Sequence, residues 1–122
     1  MADNKKKVLI VDDSTVIRKA IVNFLAAYDF EIVGSASNGT SALKLFNEYR
    51  PDIVTLDITM PGIDGFQVLS EMVRADKQVK IIVITALADK ATGLKALKNG
   101  AKSYLTKPFG PEKLKNAFDR LI

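Results

Sequence analysis

Residues 7–11 read Lys-Val-Leu-Ile-Val, an apolar run that stops abruptly at Asp12-Asp13-Ser14. A short run of this kind, β-branched and apolar at successive positions, predicts a buried strand. Ile17, Ala20, Ile21, Phe24 and Leu25 then recur at intervals of three and four. That spacing predicts a helix over 14–27 with one apolar face, with Asp13 or Ser14 suited to its N-cap.

The same alternation repeats four more times. A strand is predicted over 31–36, a turn at Asn38-Gly39, and a helix over 40–49 with Leu43 and Phe46 turned inward. Pro51 breaks that helix, and a third strand over 53–56 ends in Asp57. A loop with Pro61-Gly62 precedes a helix over 65–75, and KIIVIT at 80–85 is the strongest strand pattern in the chain. A helix over 90–99 stops at Gly100, a residue suited to the left-handed position that ends helices. The last strand is predicted over 104–106 and the last helix over 112–121, with Leu114, Phe118 and Leu121 on one face.

Five strands alternating with five helices predict an α/β fold, a doubly wound (βα)5 arrangement with a five-stranded parallel sheet covered on both faces. Near-continuous apolar strands support this, since strands with one wet face would alternate. The expectation is one domain over residues 1–122 with no output domain.

Composition narrows the chemistry. There is no cysteine and no histidine among the 122 residues, which removes disulfides, zinc thiolates, cysteine nucleophiles and the usual general base. Any chemistry must rest on carboxylates, lysines, hydroxyls and backbone. No apolar run approaches the roughly 18 residues of a membrane span, and the charged N-terminus does not resemble a signal peptide. A cytoplasmic protein without membrane contact is expected.

The formal charge of +4 is unevenly spread. Residues 90–122 hold eight bases against two acids, and the rest hold ten bases against twelve acids. A basic last quarter can attract an acidic partner or nucleic acid, or can be simply a solvated helix surface.

In open α/β sheets, sites form beyond the carboxyl ends of the strands. There the first strand is followed by Asp12-Asp13, the third ends in Asp57, the fourth in Thr85, and the fifth leads to Lys107. Three carboxylates side by side repel unless a cation neutralises them, and oxygen-only ligands suit Mg2+, which keeps waters and expects a phosphate oxygen. Three carboxylates, one magnesium and one lysine cancel in charge, so adding a phosphoryl group leaves the site net negative and can draw the lysine and a hydroxyl inward. Taken singly, an Asp pair after a strand is also an ordinary helix cap, and a Thr at a strand end an ordinary β-former. Their conjunction on one rim carries the reading.

The strings VLIVDDS (8–14), DIVTLDITMPGIDG (52–65), VITA (83–86) and YLTKPF (104–109) resemble the receiver domain of two-component response regulators, across essentially the whole chain. The length resembles the single-domain chemotaxis type most. The resemblance implies a flavodoxin-like strand order 2-1-3-4-5 and a phosphorylation-activated switch rather than an enzyme, a phosphoacceptor that promotes its own phosphorylation and dephosphorylation. It implies that Asp57 accepts the phosphoryl group from a histidine kinase. Asp13 would ligate Mg2+ directly, Asp12 through water, and Thr59 through its backbone carbonyl. Thr85 would supply the hydroxyl that swings to the phosphoryl group, with small Ala86 beside it. Lys107 would pair with that group, before a cis bond to Pro108, and Tyr104 would be the aromatic switch. A downstream protein, with the flagellar switch as one candidate, would bind the face made by the fourth helix, fifth strand and fifth helix. A phosphatase is a further implied partner, and direct nucleic-acid binding is not.

Two positions depart from the chemotaxis pattern: Thr59 stands where Asn is frequent, and Leu87 where a polar residue is frequent. Both flank the phosphoryl group, and the lifetime of the phosphorylated state is thereby left open. Rival readings also remain at this point. A nucleotide-binding flavodoxin-like protein would need a glycine-rich loop where Asp12-Asp13 stands, and an aspartyl-nucleophile phosphatase usually carries a carboxylate where Thr59 stands. A stand-alone receiver in a non-chemotaxis phosphorelay and a receiver excised from a DNA-binding regulator also fit.

Overall fold

A computed structural model describes residues 5–62 and 64–121. The first four residues, Ile63 of the loop motif and Ile122 lie outside the described residues, and with them both ends of the expected 1–122 domain. The elements run β1 (Lys6–Val11), α1 (Thr15–Leu25), β2 (Phe30–Ala36), α2 (Gly39–Tyr49), β3 (Ile53–Asp57), α3 (Gly65–Ala75), β4 (Lys80–Thr85), α4 (Lys90–Lys98), β5 (Ser103–Thr106) and α5 (Pro111–Asp119). All strand pairs are parallel and the sheet order is β2-β1-β3-β4-β5, the order expected.

Local chemistry sets where the helices begin. The Ser14 hydroxyl accepts the Ile17 amide at 3.2 Å, so Ser14 rather than Asp13 caps α1. Asn38, expected in a turn, caps α2 by accepting the Ser41 amide at 2.8 Å, and Gly39 is already helical. The same side-chain-to-amide bond opens α3 from Asp64 and α4 from Asp89, while Pro111 opens α5. The helix over α4 ends before Gly100, whose φ of +108° is the left-handed value its position predicted.

Alternate strand residues face opposite helical layers. Leu9, Val11, Val54, Leu56, Ile81 and Val83 pack with Phe46, Leu69, Met72 and Ala96 of the α2, α3 and α4 layer. Val8, Ile10, Ile53, Ile82 and Ile84 pack with Ile21, Leu25, Leu114 and Phe118 of the α1 and α5 layer. Burial on both faces holds for β1, β3 and β4 but not for β2, where most residues are half-buried or exposed because the strand lies at the sheet edge. Ala20 is likewise exposed, at the margin of a stripe centred on Ile21 and Leu25, so the apolar face of α1 is narrower than its spacing predicted.

The parallel sheet delivers the carboxyl ends of β1, β3, β4 and β5 to one rim. Its closure after β3 depends on Gly65, where an added Cβ would sit 2.4 Å from the Ile58 Cα. A side chain there would push the loop carrying residues 58–64 away from the strand end.

Arg50 ends α2 with φ 47°, a left-handed conformation that costs a non-glycine residue about 1 kcal/mol. Its guanidinium lies 5.7 Å from the Phe46 ring centroid and donates to the Ala75 carbonyl at 3.2 Å, tying the ends of α2 and α3. Arg50→Ala loses both ties and keeps the strain, whereas Arg50→Gly loses the ties and sheds it. Urea denaturation is expected to find the glycine variant more stable than the alanine variant by about 1 kcal/mol. Equal stabilities would show that the turn is unstrained.

Candidate functional site

β1 and β3 are neighbours, with Val11 beside Leu56, so Asp12 and Asp57 leave the sheet side by side. Both are buried, at 0% and 1% exposure, while Asp13 is exposed on the rim. Each of the three offers a carboxylate oxygen within 4.8 Å of the others. The two buried groups are aimed by the same local device, a carboxylate folding back onto the amide two residues ahead. The Ser14 amide donates to Asp12 Oδ1 at 2.9 Å, and the Thr59 amide to Asp57 Oδ1 at 2.8 Å.

Lys107 follows β5, whose Thr106 pairs with Thr85, and its ammonium crosses to both acids. Nζ lies 3.0 Å from Asp57 Oδ2 and 3.1 Å from each Asp12 oxygen. It hydrogen-bonds Asp12 through Oδ1; Oδ2 is within ion-pair distance but is buried with no donor directed at it.

Burial pushes the Asp12 carboxyl above its ordinary pKa and the Asp57 charge adds to this, against the pull of the Ser14 amide and Lys107. Burial pulls the Lys107 ammonium down, but its bonds to Asp57 and Asp12 outweigh that and leave it above the ordinary lysine value. A complete ion pair would hold its acid low. Here one ammonium is divided between two carboxylates, and Asp12 is left under-compensated. An oxygen-only donor set, a shortfall of positive charge and a buried carboxylate oxygen without a donor fit a small hard cation such as Mg2+.

The Thr59 hydroxyl donates to Asp57 Oδ1 at 2.7 Å and accepts the Ala86 amide at 3.3 Å, joining the acid to the turn after β4. Thr85 is buried and its hydroxyl accepts the Leu87 amide at 3.0 Å. The Leu87 side chain is half exposed. Tyr104 stands apart from the acidic rim, packed partly buried against the α4 layer. The Lys107–Pro108 bond is cis, as the resemblance implied.

Arg18 was not foreseen. It donates to the Asp12 carbonyl at 2.6 Å and to the Thr15 hydroxyl at 3.2 Å, bracing the loop between β1 and α1. A base near a helix N-terminus is unfavourably placed against the helix dipole, and that misplacement was the available signal.

Residues 8–119 match the family model for the response regulator receiver domain. The chain is 40% identical over 114 residues to chemotaxis protein CheY of Listeria monocytogenes, covering 93% of this chain and 96% of that one. It is 46% identical over 112 residues to the probable transcriptional regulator ycf27 of Guillardia theta, covering 92% of this chain and 43% of that one. Its fold superposes with a TM-score of 0.87 on a chain of the CheX–CheY–BeF3–Mg2+ complex from Borrelia burgdorferi, at 35% identity, covering 93% and 86% of the two chains.

The raised Asp12 pKa fixes a sign. A carboxyl whose pKa is higher folded than unfolded weakens the fold where it is ionised, and the loss disappears as pH falls through its folded range. Asp12→Asn, and the double variant with Asp13→Asn, are therefore expected to be no less stable than the parent at neutral pH without divalent cations. The advantage of Asp12→Asn should shrink toward about pH 4, near the ordinary aspartate value. Urea melts in a chelator across that range check it; a clear loss of stability at neutral pH would make these residues structural caps.

Proposed function

The chain belongs to the response regulator receiver domain family and is CheY-like, a two-component signalling protein rather than a classical enzyme, and on that footing we propose that it is switched by a phosphoryl group transferred to Asp57 from a histidine kinase. The observation that carries this reading is the sharing of Lys107 between buried Asp57 and buried Asp12, whose Oδ2 has no donor. Asp12, Asp13, Asp57 and the backbone carbonyl of Thr59 would hold Mg2+. When bound, the metal neutralises charge on the transferred group and on the acids around it.

An Asp57 oxygen forms the bond to phosphorus as the bond to the kinase imidazole breaks. Local turns already fix this carboxylate, so little reorientation is needed before attack. Lys107 then divides its ammonium between Asp12 and the phosphoryl oxygens. The Thr85 hydroxyl exchanges the Leu87 amide for a phosphoryl oxygen, and the small side chain of Ala86 leaves that approach clear.

The output face is α4, β5 and α5. There Leu94 and Leu97 are 55% and 39% exposed among Lys95, Lys98, Lys102, Lys113 and Arg120. Apolar contacts within a basic surround suit an acidic protein partner, and make direct nucleic-acid binding unnecessary to explain the charge. Coverage of nearly all of the CheY relative supports a chemotaxis role, and within that reading the proposed target is the flagellar switch and the proposed second partner a phosphatase. A CheX–CheY complex among the structural neighbours supports a second protein partner. A second reading, a receiver serving a transcriptional regulator or another phosphorelay, is favoured by the higher identity to ycf27, of which this chain spans 43%. Within the described residues no helix is long and apolar enough to cross a membrane.

Asp57→Asn is expected to abolish acid-labile phosphate uptake from a small acyl phosphate in the presence of Mg2+. Equal labelling of the variant would remove Asp57 as acceptor.

The phosphorylated state is expected to be long-lived. The Thr59 hydroxyl is already engaged by Asp57 and Ala86, and the Leu87 side chain cannot hydrogen-bond, so neither readily orients an attacking water. Thr59→Asn with Leu87→Glu should supply one or two such bonds, of order 1–3 kcal/mol or roughly five- to a hundred-fold faster loss of phosphate. Single-turnover label loss at one Mg2+ concentration measures it. No acceleration would mean that solvent access controls the rate instead.

A further inference from the structure

Gly93 sits in the interior of α4 and is buried there, in a helical conformation open to any residue. Glycine is the poorest non-proline helix former, so its presence needs a reason other than backbone geometry. The reason is a single neighbour. A Cβ built on Gly93 would lie 2.2 Å from Cζ of Tyr104, 2.4 Å from Cε2 and 2.6 Å from Cε1, with no other residue among its nearest atoms. The outer half of the tyrosine ring therefore lies across the α4 backbone in the space that a side chain would fill.

The base of the side chain is fixed in the sheet, and the ring is half-buried. Tyr104 pairs with Val83 on β4 and packs against the core layer that contains Val83 and Ala96. α4 is tied to α3, with the Lys95 ammonium 4.3 Å from the Phe66 ring centroid. Thr85 lies two residues beyond Val83, so it faces the same layer as Tyr104, and its hydroxyl holds the turn that leads into α4.

We propose that Gly93 is the seat of the Tyr104 ring: the side chain missing from α4 opens a slot that fixes the ring's resting position. Gly93 is thus a positioning residue. It favours the state in which Tyr104 lies over α4, and any change that carries Thr85 and the following turn toward the acidic site must draw the ring out of this slot. The seat itself is independent of the reaction. Its regulatory consequence rests on the reading of this chain as a receiver with Tyr104 as switch.

The experiment combines a stability cycle with a spectroscopic probe. Gly93→Ala should lower the urea midpoint in the parent, because the methyl group displaces the ring. In a Tyr104→Ala background, where the slot is empty, the same change should raise the midpoint, because only the gain in helix propensity remains. Change of the same sign in both backgrounds overturns the seat. With 3-fluorotyrosine incorporated, and the Tyr104 resonance assigned through Tyr104→Phe, Gly93→Ala should displace that 19F resonance in the metal-free protein. It should move it toward the position the parent reaches with beryllofluoride and Mg2+. An unmoved resonance overturns the seat, and movement in another direction overturns its regulatory role. A parent resonance that ignores beryllofluoride and Mg2+ overturns that role through the receiver reading, and leaves the stability cycle to decide the seat.

Discussion

Two buried carboxylates compete for one ammonium, and the rest of the molecule is arranged around that unequal partition. Asp12 and Asp57 are withdrawn from water at the rim of the sheet, and among the described residues Lys107 is the base that reaches both. Burying a charge without full compensation is among the costlier things a small domain can do. The fold tolerates it because Asp57 Oδ1 takes two donors from Thr59 and Asp12 Oδ1 takes the Ser14 amide, which leaves the shortage concentrated on Asp12 Oδ2. A site whose three carboxylates outnumber its one ammonium by two, with its buried oxygens already aimed, is prepared for a divalent cation and for a group that arrives with it.

That partition is possible only in this topology. β1 and β3 must be adjacent to set the two acids side by side, and β5 must lie beyond β4 for Lys107 to reach back across the rim. The α1 and α5 layer and the α2, α3 and α4 layer supply the apolar burial that holds the sheet, and α1 adds Arg18, which braces the Asp12 carbonyl. Gly65 belongs to the same requirement, since any side chain there would meet the backbone of Ile58 just past Asp57.

Two short lines of residues lead out of the site, one joined by hydrogen bonds and the other by a shared sheet face. One runs from Asp57 through the Thr59 hydroxyl to the Ala86 amide. The other begins at Thr85, on the sheet face it shares with Tyr104, and ends where the tyrosine ring lies over Gly93. They meet at the turn between β4 and α4 and at α4, where Leu94 and Leu97 are exposed among lysines. On the proposed reading, an alteration at the acids would reach that surface through these hydroxyls and the tyrosine ring.

The five strands, five helices and convergence of strand ends on one rim were readable in the chain because they are set by local periodicity. KIIVIT and the repeat in α1 need no distant partner to declare their type. Asp57, Asp12 and Lys107 were likewise placed on that rim by where the strands end. Tertiary structure decided what depends on distances between segments far apart in the chain. It chose Asp12 over Asp13 as the buried acid and divided Lys107 between two carboxylates. It turned the Thr59 hydroxyl toward Asp57 and seated Tyr104 on Gly93. It also exposed Ala20 and much of β2, because an apolar pattern states what a segment can bury and only the packed neighbours state what is covered.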